Sequence, residues 1–161
     1  MQEPLTSEHA QISTLGTVLA FWNNVELVME MVIKQELGLT TEQACIVCGA
    51  LGGGAKLAML SSLVAEKGHR QSFVQAIRDF QGMVGRNALA HGFMTIHGPS
   101  GDYEIVSRDV KNKLSVRRRR LVDYYTDDFV PAYEKAITES GFSENEMYDY
   151  GREIAALAPD P

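Results

Sequence analysis

The stretch Val18-Leu-Ala-Phe-Trp-Asn-Asn-Val-Glu-Leu-Val-Met-Glu-Met-Val-Ile33 decides the fold class, because its apolar residues recur at spacings of three and four. That spacing places them along one face of an α-helix. The stripe consists of Val18, Phe21, Trp22, Val25, Met29, Val32 and Ile33. Leu27, Val28 and Met31 widen it beyond what one neighbouring helix covers. Two interpretations follow and stay open at this point: a central core helix, or a helix shared between the core and a dimer interface.

Start and stop signals define this helix and predict others along the chain. Thr6 and Ser7 are suitable N-caps for the first helix, and Gly38 ends it. Capping boxes predict further helix starts at residues 40–43 and 143–146. Pro131 is expected to kink or split the fifth helix, since proline removes a backbone donor. The predicted helices span about 7–38, 40–51, 55–67, 71–90, 115–137 and 143–157.

One segment after the fourth helix has the pattern of strands instead. Residues 93–97 and 103–107 flank the turn formers Gly98-Pro-Ser-Gly-Asp102, which predicts a short β-hairpin. The expected fold is therefore an all-α bundle of five to six helices with a short β-hairpin after the fourth helix. A chain of 161 residues suits one domain over 1–161, with a core of about residues 8–140.

Composition narrows the functional classes. Apolar residues make up 45% and charged residues 22% of the chain, which is ordinary for a globular protein. The formal net charge of −6 disfavours broad, non-specific adhesion to nucleic acid, because such adhesion depends on Lys and Arg neutralising phosphates. No leader pattern or membrane-length apolar run is present, so we expect a cytoplasmic protein with no membrane partner.

The stretch Gly85-Arg-Asn-Ala-Leu-Ala-His-Gly92 carries the residues best suited to chemistry. Arg86 offers a permanent planar cation matched to phosphate oxygens, and His91 can exchange protons near neutral pH. Asn87 and His91 are four residues apart, so they share a face of the predicted helix. Gly82 and Gly85 weaken that helix, which indicates either close approach of another backbone or a local bend.

The arrangement R-N-x-x-x-H followed by Gly, late in a helical chain, resembles the HEPN (higher eukaryotes and prokaryotes nucleotide-binding) domain. The stretch Trp22-Asn-Asn-Val-Glu26 upstream adds to this resemblance, which covers roughly residues 10–140. It implies an up-and-down helical bundle and metal-independent endonucleolytic cleavage of single-stranded RNA by a homodimer. It also implies that Arg86, Asn87 and His91 form the catalytic site, with no cofactor.

The chemistry follows from RNA carrying its own nucleophile. His91 would act as general base or acid, Arg86 would stabilise charge on the phosphorane, and Asn87 would orient the imidazole or bind substrate. The products would be a 2′,3′-cyclic phosphate and a 5′-OH.

Two alternatives to this function remain. One is a non-catalytic HEPN-like module that binds a nucleotide or a protein, with Arg86 and His91 structural. The other is a toxin or defence nuclease silenced by an antitoxin, such as a nucleotidyltransferase-like protein.

Arg117, Arg118, Arg119 and Arg120 form a basic run that we expect within one helical turn. One interpretation is a solvated face balanced by Asp123, Asp127 and Asp128. The other is a substrate-binding patch that follows RNA phosphates beside the catalytic motif.

Three other patterns are given no catalytic role. Cys45 and Cys48 have C-x-x-C spacing without a thioredoxin-like context, so we expect two buried helix cysteines. Residues 49–56 resemble a Walker A loop only superficially, because the Gly-Lys-Ser/Thr ending is absent, and they are expected to connect helices. The four histidines lack zinc-site spacing, so no metal is expected.

Overall fold

The fold is built from helices joined by short capped turns, as the periodicity predicts. The computed structural model describes residues 7–84, 93–97, 102–108, 114–120 and 124–158. Within these ranges a π-helical segment, Tyr124–Phe129, precedes the fifth of six α-helices. The α-helices are α1 (Ser7–Leu37), α2 (Thr41–Gly49), α3 (Gly53–Lys67), α4 (Gln71–Val84), α5 (Val130–Ser140) and α6 (Glu144–Ala155).

The chain divides into two compact units. One, here called the helical unit, comprises Trp22–Arg78 and Tyr133–Pro161. Its described residues form helices and turns, which confirms the all-α prediction for this part of the chain. The other unit comprises Met1–Phe21 and Asp79–Ala132. The single-domain organisation stays a prediction.

Helix α1 supplies the centre of the helical unit. Two of the three residues that widen its apolar stripe are buried, since Val28 is 1% exposed and Met31 is 6% exposed, while Leu27 is half-buried. Burial on this scale contributes about 1.5–3 kcal/mol for each large apolar side chain. The stripe therefore supports the central core interpretation of α1 rather than an open dimer face. Other members of the core are Trp22, Val25, Met29, Val32, Ile33, Leu60, Val64, Phe73 and Ile77.

The two predicted capping boxes are confirmed, and so is Gly38 as the residue that ends α1, while Thr6, predicted as an N-cap of α1, lies outside the described residues. Thr40 accepts a hydrogen bond from the backbone of Gln43 and Ser143 from that of Glu146, each as part of a capping box. Gly38 and Gly68 follow α1 and α3 with φ of +64° and +73°, a left-handed conformation that costs glycine least.

The second unit holds an aromatic cluster at the junction of α1, α4 and the π-helical segment. Phe129 lies edge-on to Phe21, with ring centroids 5.3 Å apart, and 5.4 Å from Phe80. Phe80 and Phe129 have no exposed surface. Such offset aromatic pairs add about 0.5–1.5 kcal/mol beyond their burial.

This unit also contains three strands, β1 (Phe93–His97), β2 (Asp102–Arg108) and β3 (Leu114–Arg120), in the order β1-β2-β3. Both neighbouring pairs are antiparallel, with Phe93 opposite Val106 and Asp102 opposite Arg120. The ranges predicted for the hairpin strands coincide with β1 and the middle of β2. The turn predicted between them includes residues 98–101, which lie outside the described residues.

Strand β3 corrects the prediction that helix resumes near residue 115. Leu114 and Val116 alternate with Ser115 and Arg117, and this period of two suits a strand paired with β2. The helical prediction rested on the spacing of three and four that begins at Leu121. Helical structure is present from Tyr124 onward, first as the π-helical segment and then as α5. Pro131, expected to kink or split this helix, is the second residue of α5 and lies just after the change from π-helix to α-helix.

One prediction about the glycines needs correction, and the two alternatives for Gly82, a bend or the close approach of a second chain, stay open. Helix α3 begins at Gly53 with Gly52 as its N-cap, two residues earlier than predicted, so Gly53 and Gly54 belong to the helix and not to the loop. At Gly82 in α4, an added Cβ would meet nothing within 4 Å. No backbone of the described residues therefore approaches Gly82 closely.

Among the described helices, none is long and apolar enough by itself to cross a membrane. Helices α2 and α3 reach that length and composition only when taken together, with a bend of 120° between them.

Candidate functional site

The predicted catalytic residues follow directly after α4. Arg86, Asn87 and His91 fall within residues 85–92, which lie outside the described residues. The helix that precedes them is firmly held, because Phe73, Ile77 and Phe80 are fully buried. Their roles in catalysis stay a prediction.

The basic run has a different backbone from the one predicted. Arg117, Arg118, Arg119 and Arg120 lie in β3 rather than within one helical turn. Four consecutive residues of a strand span about 10 Å, against about 5 Å for a helical turn. The register sets Arg118 opposite Glu104 in β2. The run therefore follows an extended line, and its predicted place beside the motif stays untested.

The helical unit contains a largely buried polar cluster that the sequence motifs did not predict. The Lys56 ammonium on α3 lies 3.6 Å from Glu26 Oε2 and 3.7 Å from Glu30 Oε2, both on α1. Lys56 and Glu30 are each only 8% exposed. Two carboxylates four residues apart thus share one cation in a region of low solvent access, where charges interact strongly.

Two aromatic donors complete the cluster. Trp22 Nε1 donates to Glu26 Oε1 at 2.5 Å, and the Tyr150 hydroxyl on α6 donates to Glu30 Oε1 at 2.9 Å. Burial raises the pKa of Tyr150, and the hydrogen bond to Glu30 raises it further. The phenol is therefore a fixed donor and not a base. Each carboxylate, the buried Glu30 and the partly buried Glu26, receives both a cation and a neutral hydrogen bond, which is what burial of charge requires.

The cysteines border this cluster. Cys48 is fully buried, and burial raises its pKa to about 11. Cys45 is partly exposed, and burial together with nearby Glu30 raises its pKa as well. Thiols of raised pKa carry little thiolate and react slowly. The expectation of two buried cysteines is right for Cys48 and only partly right for Cys45.

The cluster also shows what the lysine of residues 49–56, the stretch that resembles a phosphate loop, does in this structure. Lys56 points into the protein and is held by Glu26 and Glu30 instead of being presented to a ligand. At Gly53, an added Cβ would lie 2.6 Å from Glu26 Oε1 and 3.1 Å from Trp22 Cζ2. Glycine at this position lets the start of α3 approach the carboxylate of α1.

Alanine at Gly53 is expected to destabilise the protein. The new methyl group must displace the Glu26 carboxylate, which Trp22 and Lys56 hold in place. We expect Gly53→Ala to lower the free energy of unfolding by about 1–3 kcal/mol, the usual effect of overpacking. Urea unfolding measures this change.

Gly54 provides the matched control one residue along the same helix. It is exposed, and an added Cβ would meet nothing within 4 Å. Gly54→Ala should raise the free energy of unfolding by up to about 1 kcal/mol, since alanine favours helix. Equal effects of the two substitutions would contradict the close approach at Gly53.

A second charged group joins the end of α1 to the connection between α3 and α4. Glu36, whose side chain is 6% exposed, lies 3.2 Å from Lys67 Nζ, 2.9 Å from His69 Nε2 and 3.1 Å from Arg70 Nε. Arg70 adopts a φ of +60° here and also donates to Gln35 Oε1 at 2.8 Å. One carboxylate therefore holds three basic residues of a tight connection.

Glu36 should make stability depend on pH in the acid range. Burial alone would raise its pKa, but hydrogen bonds and charge from His69 and Lys67 lower it below the ordinary 4.5. A lowered folded-state pKa gives stability that is fully present above pH 4.5 and is lost as pH falls through the folded pKa. The difference in unfolding free energy between wild type and Glu36→Gln should therefore shrink below pH 4.5. A difference that stays constant from pH 7 to pH 3 would contradict this role.

The described residues do not contain a group of three or more His, Cys, Asp or Glu that could hold a metal ion.

The buried cluster has a structural role, since its lysine and one carboxylate are largely shielded from solvent and every charge in it has a partner. A signal for it existed in the sequence, because Glu26 and Glu30 interrupt the apolar stripe of α1 at helical spacing.

Comparisons with family models, with curated proteins and with solved structures give no match for this chain.

Proposed function

We propose that this chain is a metal-independent endoribonuclease of HEPN type that cleaves single-stranded RNA as a homodimer. The observation that carries the proposal is the R-N-x-x-x-H-G motif placed directly after α4 in a helical chain. The burial of Phe73, Ile77 and Phe80 supports it, because a catalytic motif needs a rigid element to position it. An up-and-down arrangement of the helices belongs to the same proposal.

The proposed reaction uses the 2′-OH of RNA as nucleophile. His91 removes the hydroxyl proton or protonates the leaving 5′ oxygen, a role worth about 10² to 10⁴ in rate. Arg86 stabilises the charge that develops on the phosphorane. Asn87 orients the imidazole or binds the substrate. Arg117, Arg118, Arg119 and Arg120 provide phosphate contacts along the bound strand.

The homodimer is part of the mechanism, since one histidine serves poorly as base and acid in the same turnover. Two copies would bring two Arg86/His91 pairs into one cleft. The open surface at Gly82 supports this arrangement, because an added Cβ there meets nothing within 4 Å. On α1, Val28 and Met31 are buried within the helical unit, so these two positions offer no dimer face.

The nature of the substrate tests this proposal. We expect wild type to cleave a labelled single-stranded RNA in EDTA and to leave 2′,3′-cyclic phosphate ends. A matched oligonucleotide with 2′-deoxyribose throughout should stay intact, because it lacks the nucleophile. Cleavage of both oligonucleotides, or cleavage that requires a divalent ion, would contradict the mechanism.

A second candidate is a non-catalytic HEPN-like module that binds a nucleotide or protein. The net charge of −6 favours it, since negative charge opposes contact with RNA. The third candidate is a nuclease that is inhibited by an antitoxin, such as a nucleotidyltransferase-like protein. Growth arrest on expression that His91→Ala relieves separates such a toxin from the binding module.

A further inference from the structure

A cleft in the helical unit lies between the end of α1 and helix α6. Its volume is about 540 Å³, within the range of ligand-binding cavities in proteins. Apolar side chains line part of it, including Met31 of α1, Leu39 just after that helix, and the rings of Phe142 and Tyr150. We call these four residues the floor.

Carboxylates of α6 line the same cleft. Glu146, Asp149 and Glu153 recur at spacings of three and four, so they follow one face of the helix. All three are exposed. Glu146 is engaged in the capping box and Glu153 accepts from Thr41. Asp149 differs from both, because its carboxylate has no partner among the residues that the structure describes.

The cleft already holds one cation of this chain. The Lys34 ammonium lies 4.8 Å from the centre of the Tyr150 ring and 3.3 Å from Glu153 Oε2. An aromatic ring and a carboxylate thus share one ammonium at one end of the cleft. The protein's own lysine therefore shows how the floor and a carboxylate of this cleft bind a basic side chain.

We propose that this cleft binds a basic side chain, arginine or lysine, presented by a partner protein beside an apolar residue. Long basic side chains have an apolar stem and a charged head, so the stem suits the floor and the head suits Asp149. Carboxylates on one side also repel phosphates, which excludes a nucleic-acid strand as occupant. The inference goes beyond the proposed nuclease and does not depend on Arg86 or His91.

A short labelled peptide tests the proposal in the absence of RNA. The probe is a fluorescent Leu-Arg-Leu-Arg peptide, and its neutral control replaces each arginine with citrulline. We expect fluorescence anisotropy to show binding of the arginine peptide and at least tenfold weaker binding of the citrulline peptide. A Gly-Arg-Gly-Arg peptide, which lacks the apolar side chains, should bind at least fivefold more weakly.

Two charge reversals on α6 provide matched variants. Asp149→Lys should weaken binding at least tenfold, while Glu144→Lys changes net charge equally outside the cleft and should weaken it less than threefold. Both residues are exposed, and circular dichroism checks that both variants fold. Equal losses in the two variants, or equal binding of the citrulline peptide, would overturn the proposal. So would binding only of a peptide with the sequence of residues 114–121, because the occupant would then be a second copy of this chain.

Discussion

Replacing Lys56 with methionine is expected to lower the free energy of unfolding by about 3–5 kcal/mol, the usual result of removing one partner from a buried ion pair. Methionine keeps most of the apolar stem, so the loss comes chiefly from the charge. Glu26 and Glu30 would then face each other without the ammonium that lies 3.6 and 3.7 Å from them. Chemical unfolding of the purified protein measures the effect.

The control for this prediction also removes the two carboxylate charges that Lys56→Met leaves unpaired. In the triple variant Glu26→Gln, Glu30→Gln and Lys56→Met, no ionised group remains at the centre of the cluster. Trp22 and Tyr150 can still donate to the amide oxygens. The triple variant should recover at least half of the stability lost in Lys56→Met. A loss below about 1 kcal/mol for Lys56→Met, with no recovery in the triple variant, would contradict the ion-pair account.

The largest expected effect on activity comes from the motif after α4. His91→Ala should lower the rate of RNA cleavage by about 10² to 10⁴, because general acid–base catalysis is lost. Arg86→Ala should lower it by about 10² to 10³, the usual effect of removing one stabilising donor. Cleavage rates at saturating RNA measure both changes.

His97→Ala is the matched control, since His97 lies in β1 and has no proposed catalytic role. It should keep the wild-type rate. Light scattering must show the same oligomeric state for all variants, so that lost activity is not lost assembly. Equal losses in His97→Ala and His91→Ala would place the effect in folding rather than in chemistry.

The sequence predicted the parts of the fold that depend on local signals. The capping boxes at Thr40 and Ser143 and the left-handed glycine at Gly38 are set by neighbours within a few residues. The buried face of α4 follows from periodicity in the same way. Such signals are readable because their physical cause lies within one helix.

Features that depend on tertiary contacts cannot be predicted from such local sequence signals. Glu26 and Lys56 are thirty positions apart in sequence, so their pairing appears only once α1 and α3 are packed. The strand at Leu114–Arg120 is not predicted by local sequence, because strand formation there depends on pairing with β2. The catalytic role of Arg86, Asn87 and His91 rests on the motif and stays a prediction.

Cleavage of labelled single-stranded RNAs in EDTA by wild type, Arg86→Ala and His91→Ala decides whether the motif after α4 is catalytic. We expect cleavage by the wild-type homodimer and at least a hundredfold loss in each variant, with folding and oligomeric state unchanged. A wild-type dimer that leaves every RNA intact, or folded variants that cleave as fast as wild type, would contradict the proposed nuclease.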